Sequence, residues 1–279
     1  MDIKNLFTRY GAFSSVRLSK NQKIRFLTTL FGDFKAFGFS TGKIYKTNYK
    51  QKLSIIGLIG NVKKSEFLYV TYYDTPVRNF SSTTYEPFDE SQLKARTRRN
   101  YLIPMVSFSI IFISYVIGIL VPILQKGIQH IEQIILILIS VLMMLILAKI
   151  VQYGGIPSRD TLERNTSSII TLLNFAGSLN KGQKEQVSFA FVDYGTVNYL
   201  GYHILKELMG NSKCKVVFLD SITTDETVVE RKKNKWLDDN FNKPAYIFGQ
   251  PTAKENHSPL VEAVEKTTEN LLELFNERK

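Results

Sequence analysis

The sequence has one cysteine, Cys214, one tryptophan and three histidines in 279 residues. A lone cysteine excludes an intrachain disulfide, which suits a reducing compartment. The first residues, MDIKNLFTRYGAFSSVRLSKNQK, include basic side chains but no apolar core, so they are not expected to act as a secretory signal. There is no G-x-S-x-G elbow, no phosphate-binding P-loop and no H-E-x-x-H helix, and no internal repeat. Acidic residues are the minority charge: 25 Asp and Glu against 36 Lys and Arg give a net charge of +11. No nucleic-acid-binding motif accompanies that charge, so nucleic acid is not expected as a partner. A basic surface against anionic lipid headgroups, or an acidic protein partner, accounts for it more simply.

Long apolar runs are present. Residues 102–124 (LIPMVSFSIIFISYVIGILVPIL) carry no charge, and at ~1.5 Å rise per residue a helix of that length crosses a ~30 Å hydrocarbon core. A polar break, QKGIQHIEQ, separates it from residues 134–151, where Lys149 alone interrupts the apolar run close to its end. The expected organisation is a two-helix membrane hairpin within 101–152, with spans at about 102–124 and 132–151. It divides one soluble α/β domain into halves 1–100 and 153–279. Neither half has enough strands and helices to cover both faces of a parallel sheet. Lys94, Arg96, Arg98 and Arg99 precede the first span, and Lys149, Arg159 and Arg164 close or follow the second. The loop holds Lys126 offset by Glu132. The positive-inside rule then places both termini and the soluble domain in the cytoplasm, in a multi-pass protein of the cell membrane. Ser107, Ser114 and Gly118 would permit close helix packing on the first span.

Outside the hairpin, helical spacing covers 20–37 (Ile24, Leu27, Leu30, Phe31, Phe34) and 166–179 (Ile169, Ile170, Leu172, Leu173, Ala176), the latter with Asn165 as cap. A helix over 199–209 stops at Gly210, and a last one starts from Ser258-Pro259 and runs to about Asn276. Strands are expected at 53–59, 67–73, 187–192, 215–219 and 245–248, with a polar loop at 79–90. Strands alternating with helices indicate an open, largely parallel α/β sheet. Asp74, Asp193 and Asp220 each follow a predicted strand. In such sheets ligands bind beyond the carboxyl ends of the strands, so three converging carboxylates would make a cation or polar-ligand site. Helix capping and turn formation explain the same residues equally simply. His130 falls in the hairpin loop and His203 within a helical pattern. Cys214 precedes a strand as a small, semi-buried side chain.

Five segments, in order, resemble the two-zinc aminopeptidase family, which also contains the peptidase-like domain of transferrin receptor. LSIIGLIGN (53–61) resembles the family's NVIGEIPG strand, and VTYYDTP (70–76) its xxHYDTx metal motif. ERNTSSIITLLNFA (163–176) resembles DDNASGVAALLELA, FAFVDYGTVNYLGY (189–202) resembles FVFFDNEEKGLLGS, and VVFLDS (216–221) resembles VINLDM. The resemblance implies a mixed, mostly parallel sheet flanked by helices, and it removes the chemistry. The first histidine ligand falls on Tyr72, the bridging aspartate on Arg164, and the adjacent glutamates, base and ligand, on Gly195 and Thr196. Asp74 holds the position that orients the missing histidine, with nothing left to orient, and Asp220 is the one ligand retained. His257, in His257-Ser258-Pro259, imitates the family's final HTPxD ligand, but the segment also matches an earlier helix start, which makes it the residue before a cap. Asp74, Asp220 and His257 are therefore vestigial metal candidates. One aspartate, a tyrosine and an arginine do not make a zinc site.

The resemblance thus implies an inactive, membrane-anchored aminopeptidase-like protein, without catalytic residues or cofactor, that binds a peptide, protein or membrane partner. Self-protection against a peptide toxin is one such role. The alternative is an active, zinc-dependent membrane aminopeptidase. A purely structural subunit of a membrane complex, contacting through the hairpin, is a third reading. The charge pattern sets a direct test of orientation. A reporter active only in the cytoplasm, fused after Lys279, should give signal, and a thiol label at a cysteine placed in 125–133 should react from outside. An externally accessible C-terminus would reverse the orientation.

Overall fold

The computed structural model describes residues 2–39, 42–49, 52–78, 80, 90–126, 131–158, 162–195, 199–210, 212–220, 222, 245–248 and 260–276. It forms two compact units. One comprises Met1–Pro76, Thr83–Leu93 and Arg159–Lys279, the other Val77–Ser82 and Lys94–Ser158.

The first unit begins with a one-turn helix α1 (Ile3–Leu6) running into a π-helical stretch, Phe7–Phe13. Helix α2 (Lys20–Ala36) starts at a reciprocal cap, in which the Ser19 hydroxyl accepts the Gln22 N–H and the Gln22 amide accepts the Ser19 N–H. The sheet has six strands in the order β1 (Gly42–Tyr49), β2 (Lys52–Ile59), β4 (Val187–Val192), β3 (Phe67–Tyr72), β5 (Lys215–Leu219) and β6 (Ala245–Phe248). The pairs β1–β2 and β2–β4 are antiparallel, whereas β4–β3, β3–β5 and β5–β6 are parallel. β4, from after the apolar segment, lies between β2 and β3, which come before it, so neither stretch of chain forms the sheet alone.

Alternation along the strands sends side chains to two cores. Phe67, Tyr69, Phe189, Phe191, Val217 and Leu219 face one core, with α2, α6 (Ser167–Ser178) and α9 (Leu260–Asn276). Leu68, Val70, Tyr72, Val192, Val216 and Phe218 face the other, under α8 (Leu200–Met209). Rings interlock in the first core, with Phe34 4.8 Å from Phe189 and Tyr69 4.7 Å from Phe175 between centroids. Each such burial contributes roughly 1.5–3 kcal/mol. A short helix α7 (Lys181–Gln186), capped by Asn180, leads into β4.

The second unit holds two apolar helices. The first, α3 (Glu90–Tyr115), continues through a π-helical turn, Val116–Leu120, into α4 (Val121–Lys126). The second is α5 (Ile131–Tyr153). Ser91–Ile123 and Gln133–Tyr153 are long and apolar enough to cross a membrane, with mean hydropathies of 2.4 and 3.1. Only 6% and 11% of their most apolar windows are buried, so these are not core helices of this chain. The Tyr115 hydroxyl donates to the Leu136 carbonyl, tying one helix to the other. At one end the chain enters and leaves through a collar. Val77 bridges Pro157, the Arg78 N–H donates to the Ile156 carbonyl at 2.7 Å, and the Phe80 N–H donates to the Asn100 side chain at 3.0 Å. Pro104 has no N–H for the Asn100 carbonyl four residues back. Gly155, with φ of 143°, lies so close to that oxygen that a Cβ there would approach it to 2.9 Å.

Several expectations need correction. α3 opens at Glu90, so Lys94, Arg96, Arg98 and Arg99 lie on the helix itself, and most of the loop expected at 79–90 lies outside the described residues. Asn165 does not cap α6. It sits in a π-helical turn, Leu162–Thr166, and its side chain serves another partner. Cys214 is fully buried, not semi-buried, with its Sγ 3.2 Å from the Ser212 hydroxyl. β1, α1 and α7 are additional to the elements expected. Ser258, Pro259 and His257 lie outside the described residues.

The collar brings residue 100 beside residue 154, so a short glycine-serine linker replacing 101–153 should leave a soluble protein that unfolds in one cooperative transition. Calorimetry with circular dichroism at two wavelengths checks this. Two separate transitions, or stable folding of 1–100 expressed alone, would refute it.

Candidate functional site

β4, β3 and β5 are parallel neighbours, with Tyr72 opposite Val192 and Val70 opposite Phe218. Asp193, Asp74 and Asp220 therefore emerge at one edge of the sheet, the edge where open α/β sheets bind ligands. The strand pleat then separates them. Asp220 lies two residues beyond Phe218 and shares the face of Tyr72. Asp193 lies two beyond Phe191 and shares the face covered by α2.

The Tyr72 hydroxyl donates to Asp220 Oδ1 at 2.6 Å, and neither residue is exposed to solvent. The position where the resemblance places a histidine ligand thus bonds the carboxylate that the resemblance retains. The Asp74 carboxylate accepts the Gly195 N–H at 2.9 Å, and its carbonyl accepts the Asn165 amide at 2.6 Å. Asp74 therefore holds the backbone just beyond β4. Gly195 packs onto Tyr72 so tightly that a Cβ there would lie 2.2 Å from the Tyr72 Cβ. A side chain at 195 would require the backbone there to shift, because its Cβ would meet the Cβ and Cγ of residue 72. Of Arg164 and Glu163 only the backbone is described, in the π-helical turn, and Thr196 and His257 lie outside the described residues.

Two buried cations, neither of them anticipated in the sequence, complete this edge. Lys23 Nζ lies 2.6 and 2.8 Å from the two Asp193 oxygens, and 4.6 Å above the Tyr194 ring. Lys23 occupies a core-facing position of α2, in register with Phe26, Leu27, Leu30 and Phe34. A lysine inside an apolar stripe was the one sequence signal that could have found it. Arg17 is 1% exposed. Its guanidinium donates to the carbonyls of Ser14, Tyr73 and Tyr10 and to the Thr166 hydroxyl, and lies 4.1 Å over the Phe26 ring. Burial lowers its pKa to about 9, with the attraction of Asp74 opposing the shift. No local pattern marks Arg17, because its partners are up to 149 residues away.

Burial raises the Asp193 carboxyl to about 6, against the opposing pull of Lys23 and with Asp74 pushing the same way as burial. Burial also raises the Tyr194 hydroxyl. Tyr194 and Tyr199 both have positive φ, 57° and 54°, at the two ends of the turn where the resemblance places the glutamate pair. Such backbone costs on the order of 1–3 kcal/mol per residue, and it clusters at binding sites.

These residues do not make a two-zinc centre. Among the described residues there is no group of three or more His, Cys, Asp or Glu that could hold a metal ion. At this edge, Asp220 is bonded by a tyrosine, Asp193 by an ammonium and Asp74 by a backbone N–H. A metal pair would have to displace those groups, and among the described residues no histidine lies in a group that could hold it.

No family model matches the sequence, and no curated protein matches it by sequence. Similarity appears among solved structures. Porphyromonas gingivalis glutaminyl cyclase aligns at TM-score 0.52 and 8% identity, over 99% of this chain and 96% of that one. A protein assigned as a Zn-dependent exopeptidase from Bacteroides vulgatus aligns at 0.48 and 10%, over 98% and 92%. Glutaminyl cyclase from an Acidobacteriales bacterium aligns at 0.40 and 13%, over 93% and 74%. The likeness to the P. gingivalis enzyme shows a shared fold. At that identity it shows nothing finer.

The Lys23–Asp193 pair generates a pH signature. A carboxyl raised from its ordinary 3.8 to about 6 binds more protons folded than unfolded across that window. Its favourable contribution is fully present below pH ~4 and lost as pH rises through ~6. Subtracting the stability of Asp193→Asn from that of wild type should therefore give a difference that falls between pH 4 and 6. Denaturant unfolding of detergent-solubilised protein measures it. Lys23→Met should cost about 3–5 kcal/mol by stranding the carboxylate. Much of that loss should return in Lys23→Met/Asp193→Asn. Additive losses would show the pair to be uncoupled.

Proposed function

We propose that this chain is a membrane-anchored, catalytically inactive protein of the exopeptidase-like fold that binds a peptide or protein partner at the carboxyl edge of its sheet. The two apolar helices are its anchor, spanning the bilayer as a hairpin with the soluble domain and both termini in the cytoplasm. The observation that carries the loss of catalysis is the contact of Tyr72 with both Asp220 and Gly195. Tyr72 bonds one oxygen of the retained ligand, and the backbone at 195 lies so close to residue 72 that it leaves no room for a side chain in the place of the general base. Arg164, Gly195 and Thr196 also stand where the resemblance places ligands and base, so no single substitution restores the family's chemistry. Arg17 and Lys23 supply the positive charge that balances the carboxylates. A peptidase fold balanced in this way is suited to holding a peptide without cutting it. Self-protection against a peptide toxin is one role of that kind, suggested by analogy of fold.

Purified protein should contain well under one equivalent of zinc and show no chelator-sensitive aminopeptidase activity. Asp220→Asn, which keeps an acceptor for Tyr72, should change neither result. Stoichiometric zinc that Asp220→Asn abolishes would overturn this reading in favour of an active metallo-aminopeptidase.

A further inference from the structure

The unit that carries the apolar helices is electrically lopsided. Val77–Ser82 and Lys94–Ser158 together contain one carboxylate, Glu132, at the loop end, and just outside them Glu90 opens α3 one turn before Lys94. The opposite end gathers six cations: Arg78, Lys94, Arg96, Arg98, Arg99 and Lys149. The collar brings their three chain segments together. Arg78 is bonded through its N–H to Ile156, and Phe80 through its N–H to the side chain of Asn100, next to Arg99. Lys149 precedes Ile150, whose carbonyl accepts the Gly155 N–H at 2.9 Å, and Gly155 lies against the Asn100 carbonyl. Arg78, Lys94, Arg98, Arg99 and Lys149 are exposed. At 100° per residue the α3 cations point around the helix instead of forming one stripe.

Two aromatic side chains mark the same level. Half-buried Tyr101 follows Arg99 by two residues, and half-buried Tyr153 lies 5.5 Å from the Lys149 ammonium. Tyrosines at the ends of apolar spans sit at the headgroup level. Arg98 and Arg99 precede the uncharged run by three or four residues, about 5–6 Å along the axis, within the headgroup layer of a bilayer. Lys94 lies about 12 Å away, close to one Debye length at ordinary salt.

We propose that this collar is a binding site for the phosphates of anionic phospholipids, selecting them over zwitterionic lipids in the shell around the hairpin. The inference rests on the membrane reading above and adds a lipid specificity to it. Cations alone would also suit a nucleic acid. A ring of them beside paired tyrosines, at the foot of two exposed apolar helices, matches a charged leaflet.

Full-length protein reconstituted in phosphatidylcholine vesicles, with trace spin-labelled phosphatidylglycerol or phosphatidylcholine, tests this by electron paramagnetic resonance. The motionally restricted fraction of each label gives their relative association. Phosphatidylglycerol should be preferred by about three- to fivefold at low salt. The preference should approach unity in 1 M NaCl, where the Debye length is about 3 Å. The variant K94Q/R98Q/R99Q should lose most of it, and K126Q at the loop end should keep it. Equal association of both labels in wild type, or a preference that survives the triple substitution, overturns the collar site alone. A spectrum with no restricted component for either label overturns the membrane reading, and the collar with it.

Discussion

Carboxylates at the ends of neighbouring strands must be neutralised by something, and here the chain's own side chains do it. Asp193 takes the ammonium of Lys23, Asp220 takes the hydroxyl of Tyr72, and Asp74 takes a backbone N–H with the Arg17 guanidinium nearby. Each solution fixes a different part of the molecule. Lys23 pins α2 to the end of β4. Arg17 gathers the carbonyls of Tyr10, Ser14 and Tyr73 into one buried turn. Asn165 ties the start of α6 to the segment after β3. Buried charge tolerates little displacement, because each group loses several kcal/mol of hydration that only a close partner restores. The edge is therefore expected to be rigid where its partners are internal.

The periodic parts of this fold were legible in the sequence. α2 and α6 begin and end within a residue or so of their helical patterns, and Val187–Val192 and Lys215–Leu219 are the strands expected. β1 was not legible because GKIYKTNY has no apolar run. It is an edge strand, paired on one side, so its sequence need not be hydrophobic. Strand order was hidden too, since placing β4 between β2 and β3 depends on packing across more than a hundred residues. Asn165 shows the limit of local rules. It carries a capping signal, yet its amide is used by a carbonyl 91 positions away. At the edge of the sheet, the residue identities at 72, 74, 195 and 220 were visible. What they do to one another was not, because Tyr72 and Asp220 are separated by 148 positions.

The likeness to glutaminyl cyclase shows one architecture built by two sequences that are 8% identical. The physical reason lies in the two cores. Alternating apolar residues on β3, β4 and β5 suffice to build a three-layer sheet, and they place few demands on the polar edge. That edge is free to change as long as buried charges stay matched. Tyr72 and Gly195 pack closely at that edge, where a Cβ at 195 would meet the Tyr72 Cβ and Cγ.

The interleaving of β4 between β2 and β3 also sets an order of events during synthesis. β3 ends at Tyr72 and β4 ends at Val192, so about 120 residues, the apolar helices among them, are made between the two. At bacterial or eukaryotic elongation rates, ~5–20 residues per second, β2 and β3 wait on the order of ten seconds for the strand that joins them. During that interval each presents an open edge to the surrounding proteome. Closure of the sheet is therefore a late step in the life of the nascent chain, after both apolar helices have been made.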